Sequence, residues 1–275
     1  QLSRLERASG NMDAAIEYAR KYQEQKPEDI EANIQLGDLL RDSGALNAAE
    51  EQYRQAQLLQ NSPVRPTLKL AVIASRKGDI PAARRYLSEA ESFAQTPMQK
   101  SEVREANALL EFRLGKVREA IRQTLEQEQY MLKSQGLLDV TLSIYVPLIE
   151  YYVLLGDFKA AHAALDTATG RLTPPADKFM AFSAAVIHAR ENNFVAAEVA
   201  VEQAREVKEQ FQLSYLGAQI ELIQAIISEA KGDYAAVAGH TLKTIEQRKQ
   251  IAMGNSVQFG LPQIYAQIAR ANTRL

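Results

Sequence analysis

Apolar residues recur along the chain at the spacing of an α-helix. Before the glycine at position 44, the segment EANIQLGDLLRDSG places Leu36 and Leu40 on one helical face. After that glycine, AAEEQYRQAQLL places Ala49 and Tyr53 four residues apart, again on one face. No segment shows the alternation of a half-buried β-strand. The pattern therefore predicts helices joined by turns throughout.

A short motif at the turn between two such helices recurs seven times. In GDIPAA (78–83), a glycine is followed by an aspartate, an apolar residue and, five positions after the glycine, an alanine. The seven copies begin at Gly10, Gly44, Gly78, Gly115, Gly156, Asn192 and Gly232. Successive copies therefore begin 34, 34, 37, 41, 36 and 40 residues apart, which indicates an internal repeat.

Each position of the motif has a physical role. The glycine, or Asn192 in the sixth copy, supplies the left-handed backbone that ends a helix. The following aspartate or asparagine accepts free amide groups of the next helix, and the alanine lets two antiparallel helices approach closely. One hairpin cannot bury its apolar face alone, so neighbouring hairpins must stack on it. The motif predicts an all-α solenoid of about seven helix-turn-helix repeats.

The repeat resembles the tetratricopeptide repeat family. The resemblance rests on the 34-residue period and on small residues at three family positions. Position 8 holds Gly37, Ala71, Ala108, Ala185 and Ala225; position 20 holds Ala15, Ala49, Ala83, Ala120, Ala161 and Ala197; position 27 holds Ala56, Ala90, Ala168 and Ala204. The resemblance covers essentially the whole chain and implies a right-handed superhelix that serves as a scaffold for partners.

The spacing of the copies predicts three segments within one solenoid: regular 34-residue units over 1–97, longer units over 98–261, and a terminal or truncated helix over 262–275. The longer units look like the sensor or partner-binding regions of bacterial signalling proteins and transcription regulators. Pro147 predicts a kink or a late start in the first helix of the fifth unit. Because the chain opens on what resembles the second half of a helix, we expect it to be part of a larger protein.

The resemblance also assigns certain positions of each first helix to a concave groove. The candidate partner-binding residues at these positions are Arg65, Lys69, Arg76, Phe179, Phe182, Val186, Arg190, Leu222 and Ile226. The basic residues of this set either bind acidic groups of a peptide or only balance the charge of the acidic residues in the second repeat. The apolar residues either receive a helix or an extended peptide, or are buried by packing or in a homodimer.

Composition limits the classes of partner. The net charge is −2 and the isoelectric point is near 6.1, which argues against direct binding of nucleic acid. The chain has no cysteine, which excludes disulfides and cysteine-ligated metals and fits the cytoplasm, although a periplasmic location stays open. No apolar run is long enough to cross a bilayer, so we expect no membrane insertion.

The sequence shows no catalytic motif. It lacks a P-loop, a GxSxG motif, a GxGxxG fingerprint and an HExxH metal motif. We expect its three histidines, His162, His188 and His240, to be packing residues without acidic or histidine partners at metal-ligand spacing. The chain is thus predicted to be a protein-protein interaction scaffold without enzymatic activity, metal or cofactor. Two alternatives are a sensory or regulatory domain of a bacterial signalling protein and a substrate adaptor attached to an enzyme.

Overall fold

The computed structural model describes residues 2–3, 6, 11–60, 63–131, 138–213 and 216–250, and within them it contains helices and turns but no strand. The α-helices are α1 (Met12–Gln25), α2 (Ile30–Asp42), α3 (Leu46–Leu58), α4 (Val64–Arg76), α5 (Ile80–Phe93), α6 (Pro97–Arg113), α7 (Val117–Met131), α8 (Leu138–Leu154), α9 (Phe158–Arg171), α10 (Ala181–Arg190), α11 (Phe194–Gln210), α12 (Leu216–Lys231) and α13 (Tyr234–Gln250). A 3-10 helix (Ala176–Met180) precedes α10. The predicted all-α repeat solenoid is confirmed.

The repeated motif forms the corner of each helical hairpin. The five described corner glycines have φ between 72° and 88°, and Asn192 has φ of 60°, so these six residues adopt the left-handed conformation. At five corners the next side chain accepts a hydrogen bond from the amide three residues later, as Asp79 does from Ala82 at 3.0 Å. The corners at 44 and 115 have Ala45 and Lys116 at this position instead.

The hairpins pack into two compact units, residues 1–133 and 134–275. In the first unit α2 packs on α3, α4 on α5 and α6 on α7; in the second α8 packs on α9, α10 on α11 and α12 on α13. The first helices of successive hairpins also contact one another, α4 with α6 in the first unit, and α8 with α10 and α10 with α12 in the second. These contacts make each unit a stack with a layer of first helices.

Alanines occupy the tightest helix contacts, as the repeat predicts. Ala49, Ala120, Ala161 and Ala197 are completely buried at the position five residues after the corner. Val237 takes this place in the last hairpin and is 1% exposed. Because an alanine projects only one methyl group, the paired helices come close enough to exclude water between them.

The late helix start before Pro147 is wrong, because α8 begins at Leu138 and continues through the proline. Gly10, which opens the first copy of the motif, and the predicted terminal helix 262–275 lie outside the described residues. No helix in the described part of the chain has the length and apolarity that crossing a membrane requires.

The corner conformation gives a test within the second unit. Gly156 has φ of 72°, whereas Gly239 lies in the middle of α13 without a positive φ, and a Cβ at either position meets nothing within 4 Å. We expect Gly156→Ala to destabilise the unit by about 1–2 kcal/mol, since L residues are strained there. Gly239→Ala should stabilise it by up to about 1 kcal/mol through helix propensity. Urea unfolding followed by circular dichroism measures both, and effects of the same sign would contradict this account.

Candidate functional site

Four of the apolar residues that the sequence predicts to bind a partner lie on first helices of the second unit. Phe182 and Val186 belong to α10, and Leu222 and Ile226 belong to α12, which packs beside it. All four are half-buried, and all except Leu222 contact the buried core of these hairpins. We call these four residues the apolar face. The structure thus brings the apolar candidates together on adjacent helices and leaves each of them partly exposed.

Phe179 and Arg190 flank the apolar face. Phe179 lies in the 3-10 helix, where its ring packs against that of Phe211 with 5.3 Å between centroids. Arg190 ends α10 and pairs with Glu229 of α12 at 3.3 Å. Both candidates therefore already contact a residue of a neighbouring element.

The basic candidates belong to the first unit, where each contacts the preceding hairpin. Arg65 forms an exposed ion pair with Glu31. The Lys69 ammonium lies 2.9 and 3.2 Å from the two carboxylate oxygens of Asp38. The Arg76 guanidinium donates to a main-chain carbonyl of α2 at 3.3 Å. Arg65 and Lys69 therefore already have acidic partners in the second repeat, whereas Arg76 contacts a carbonyl group there.

Asp38 is the centre of a polar network. Its carboxylate accepts a hydrogen bond from the Tyr53 hydroxyl at 2.6 Å and pairs with Arg41 at 3.0 Å as well as with Lys69. Burial opposes ionisation of Asp38, but Lys69, Arg41 and the Tyr53 hydroxyl together hold its pKa below the ordinary value. Burial likewise lowers the pKa of Lys69, although Asp38 attracts its charge. The network links α2, α3 and α4.

Glu150 occupies a position that the sequence analysis did not single out. It lies six residues before its corner at Gly156, as Val186 and Ile226 lie six before theirs. Desolvation raises the pKa of Glu150 to about 7, and it has no ion pair or hydrogen bond within the described residues. Alignment of the repeats would have found this carboxyl group, because the two following repeats have apolar residues at the position and the second repeat has Asp38.

The prediction that the histidines lack acidic partners is wrong for all three, and two of them share the same carboxylate. His162 of α9 and His188 of α10 approach the Glu191 carboxylate, and the ligand atoms of the three residues lie within 4.8 Å of one another. His162 Nε2 is 3.0 Å from both Glu191 oxygens, and His188 Nδ1 is 3.6 Å from one of them. We call these three residues the histidine cluster. The spacing His188-x-x-Glu191, one helical turn, was the signal in the sequence.

His240 makes a simpler pair. Its Nδ1 atom lies 2.7 Å from the Glu221 carboxylate, which joins α13 to α12 of the same hairpin. This histidine also has an acidic partner, contrary to the prediction.

The second unit also has a cavity of about 480 Å³ between α9, α10, α11 and the 3-10 helix. Asp166, Asp177 and Glu206 line it together with Lys178. One oxygen of Asp177 is buried without a hydrogen-bond partner in the described structure. The sequence analysis did not predict this cavity, because its lining residues come from four separate helices.

Similarity to known proteins supports the fold. The family model of the tetratricopeptide repeat matches residues 30–63, which span α2 and α3. A tetratricopeptide repeat protein from Parabacteroides merdae has a similar structure, with a TM-score of 0.60 and 14% identity over 98% of this chain and 96% of that one. No curated protein sequence is similar enough to count as a match.

Two further solved structures are similar. PilF of Pseudomonas aeruginosa has a TM-score of 0.52 and 15% identity over 86% of this chain and 97% of its own. A human IFIT1 dimer with m7Gppp-AAAA has a TM-score of 0.59 and 15% identity, and the match covers 96% of this chain and 60% of the IFIT1 chain. The second hairpin thus matches the tetratricopeptide repeat model, and the chain has the fold of tetratricopeptide-repeat proteins.

Proposed function

We propose that the chain is a protein-protein interaction scaffold and that the apolar face binds an amphipathic helix or an extended segment of a partner protein. The observation that carries the proposal is the half-burial of Phe182, Val186, Leu222 and Ile226 on two adjacent first helices. Core contacts hold Phe182, Val186 and Ile226 in place, while part of each of the four side chains stays open to a ligand. An ordered apolar surface of this kind suits the side chains of a bound helix.

Charges near the apolar face suggest the chemistry of the segment. Glu150 takes the equivalent position on α8, which packs beside α10. Its carboxyl group loses solvation there, so an approaching cation would stabilise the ionised form. We therefore expect the bound segment to carry apolar residues and a basic residue that reaches Glu150. The basic residues of the first unit contribute less, because Arg65 and Lys69 already pair with acids.

The double variant Phe182→Glu with Leu222→Glu tests the proposal. Because each glutamate would lose hydration against a bound apolar segment, we expect binding of the partner to be abolished while helicity is retained. A partner is first captured with the native chain and identified by mass spectrometry. Its purified form is then titrated against both chains by isothermal calorimetry, and circular dichroism checks their fold.

The matched control replaces two apolar residues on a second helix. Val195 and Val199 of α11 are 79% and 55% exposed and lie outside the apolar face. The variant Val195→Glu with Val199→Glu should bind the partner like the native chain. Equal affinity of all three proteins would refute the apolar face as the binding surface and favour the sensory-domain hypothesis. Self-association lost only in the first variant would assign the face to a homodimer instead.

A further inference from the structure

The histidine cluster has the residue types of a transition-metal site. Neutral imidazole nitrogens and carboxylate oxygens are ligands of Zn²⁺, and two histidines with one glutamate leave a fourth position open. The side chains are 37%, 25% and 25% exposed for His162, His188 and Glu191, so an ion could enter from solvent. Hard cations such as Ca²⁺ require six or more oxygens, and this cluster offers only two.

The separations fit a tetrahedral ion. Zinc bonds of about 2.0–2.1 Å at tetrahedral angles place neighbouring ligand atoms about 3.3 Å apart. The distance from the Glu191 carboxylate is 3.0 Å to His162 Nε2 and 3.6 Å to His188 Nδ1. Both distances are within a few tenths of an ångström of the tetrahedral value, and the two imidazole nitrogens lie within 4.8 Å of one another. The imidazole rings already lie side by side, with 5.4 Å between their centroids.

The Nδ1 atom of His188 independently favours a bound ion. Its Nδ1 atom is buried and makes no hydrogen bond within the described residues, although it faces Glu191 at 3.6 Å. Leaving a buried polar atom unpaired is unfavourable unless some other ligand satisfies it. A simple histidine-glutamate hydrogen bond explains His162, but it does not explain His188. A shared ion between the three side chains explains both.

The charges around the cluster also suit a cation. In the described structure, Glu191 has ion-pair contacts with the two histidines and with no lysine or arginine. Arg190, the adjacent residue, pairs with Glu229 instead. A divalent ion would therefore meet a carboxylate whose negative charge is not already neutralised by a fixed cation.

We propose that His162, His188 and Glu191 form a Zn²⁺ site that joins two successive hairpins of the second unit. His162 comes from α9 of one hairpin, and the other two ligands come from the end of α10 in the next. An ion held by both would cross-link the stack and stabilise the native state, because the unfolded chain does not bring the ligands together. The open coordination position takes water.

The experiment titrates Zn²⁺ into the untagged 275-residue chain at neutral pH and repeats the titration with Co²⁺, whose visible absorption reports tetrahedral coordination. We expect one equivalent of zinc to bind and to raise the melting temperature. His188→Gln should weaken zinc binding by at least about 100-fold, because loss of a direct ligand exceeds the 10–100-fold cost of losing an outer-shell partner. Glu191→Gln should weaken it similarly.

His240→Gln is the matched control. His240 has a glutamate partner at hydrogen-bond distance but no second histidine beside it, so its replacement should leave zinc affinity unchanged. Circular dichroism confirms that each variant is folded. The proposal is overturned if the native chain binds no stoichiometric zinc, if His188→Gln and Glu191→Gln bind it as tightly as the native chain does, or if His240→Gln weakens it equally.

Discussion

Replacing Asp38 by alanine is expected to lower the free energy of unfolding of the first unit by about 3 kcal/mol, at the lower end of the cost of breaking a buried ion pair. Asp38 is 14% exposed, and it is the acceptor for Lys69 and for the Tyr53 hydroxyl. Arg41, which is 4% exposed, would keep only Asp42 as an acidic partner. The loss comes mainly from leaving these donors and charges buried without their acceptor.

Glu31→Ala is the matched control for this prediction. Glu31 lies in the same helix and also pairs with a cation of the next repeat, but the side chains of Glu31 and Arg65 are 67% and 52% exposed. An exposed pair is screened by water, so its loss should cost less than about 1 kcal/mol. Urea unfolding of both variants provides the comparison. Similar losses would show that burial does not set the strength of these inter-repeat pairs.

The direction of the Asp38 pKa also fixes a pH dependence. Because its folded pKa is lowered, the ionised carboxylate stabilises the fold above its unfolded pKa of about 3.9. This contribution decreases as the pH falls through the folded pKa. The native chain should therefore lose more stability on acidification than Asp38→Ala does, and the difference between the two should narrow below the unfolded pKa.

Gly37→Ala should destabilise the first unit by about 2 kcal/mol, within the usual cost of overpacking a core. A Cβ at Gly37 would lie 2.6 Å from Cε1 and 2.9 Å from Cδ1 of Tyr53. The Tyr53 ring is completely buried, and the hydrogen bond to Asp38 fixes its hydroxyl, so the ring cannot turn aside. This steric cost outweighs the gain of up to about 1 kcal/mol in helix propensity from glycine to alanine.

A double-mutant cycle separates the steric cost of the added Cβ from the gain in helix propensity. In a chain that already carries Tyr53→Leu, the aromatic ring is gone and Gly37→Ala should become neutral or stabilising. The difference between the effects of Gly37→Ala in the two backgrounds gives the coupling energy between residues 37 and 53. If Gly37→Ala destabilises both backgrounds equally, the contact with Tyr53 is not the reason for glycine at this position. Unfolding in urea, monitored by circular dichroism, measures all four chains.

The candidate sites differ in how far the sequence could predict them. The apolar face follows from repeat position alone, because its residues stand at fixed distances from their corners and the hairpins stack in order. The acidic partners of Arg65 and Lys69 were already among the alternatives, because the second repeat supplies acids on its first helix. Glu31 stands at the position equivalent to Arg65, and Asp38 lies one helical turn after the position equivalent to Lys69. The histidine cluster was missed, because its residues come from different positions of two repeats of unequal length.

The sequence by itself determined the helices, the corners and the small residues between helices. A left-handed backbone at Gly78 and a capping side chain at Asp79 are local requirements, and they act within a few residues of chain. The tertiary structure alone decided which polar groups meet across the stack. Lys69 meets Asp38 over 31 residues, and His162 meets Glu191 over 29. Such pairs depend on the rotation between hairpins and on side-chain conformation, which a repeat period does not specify.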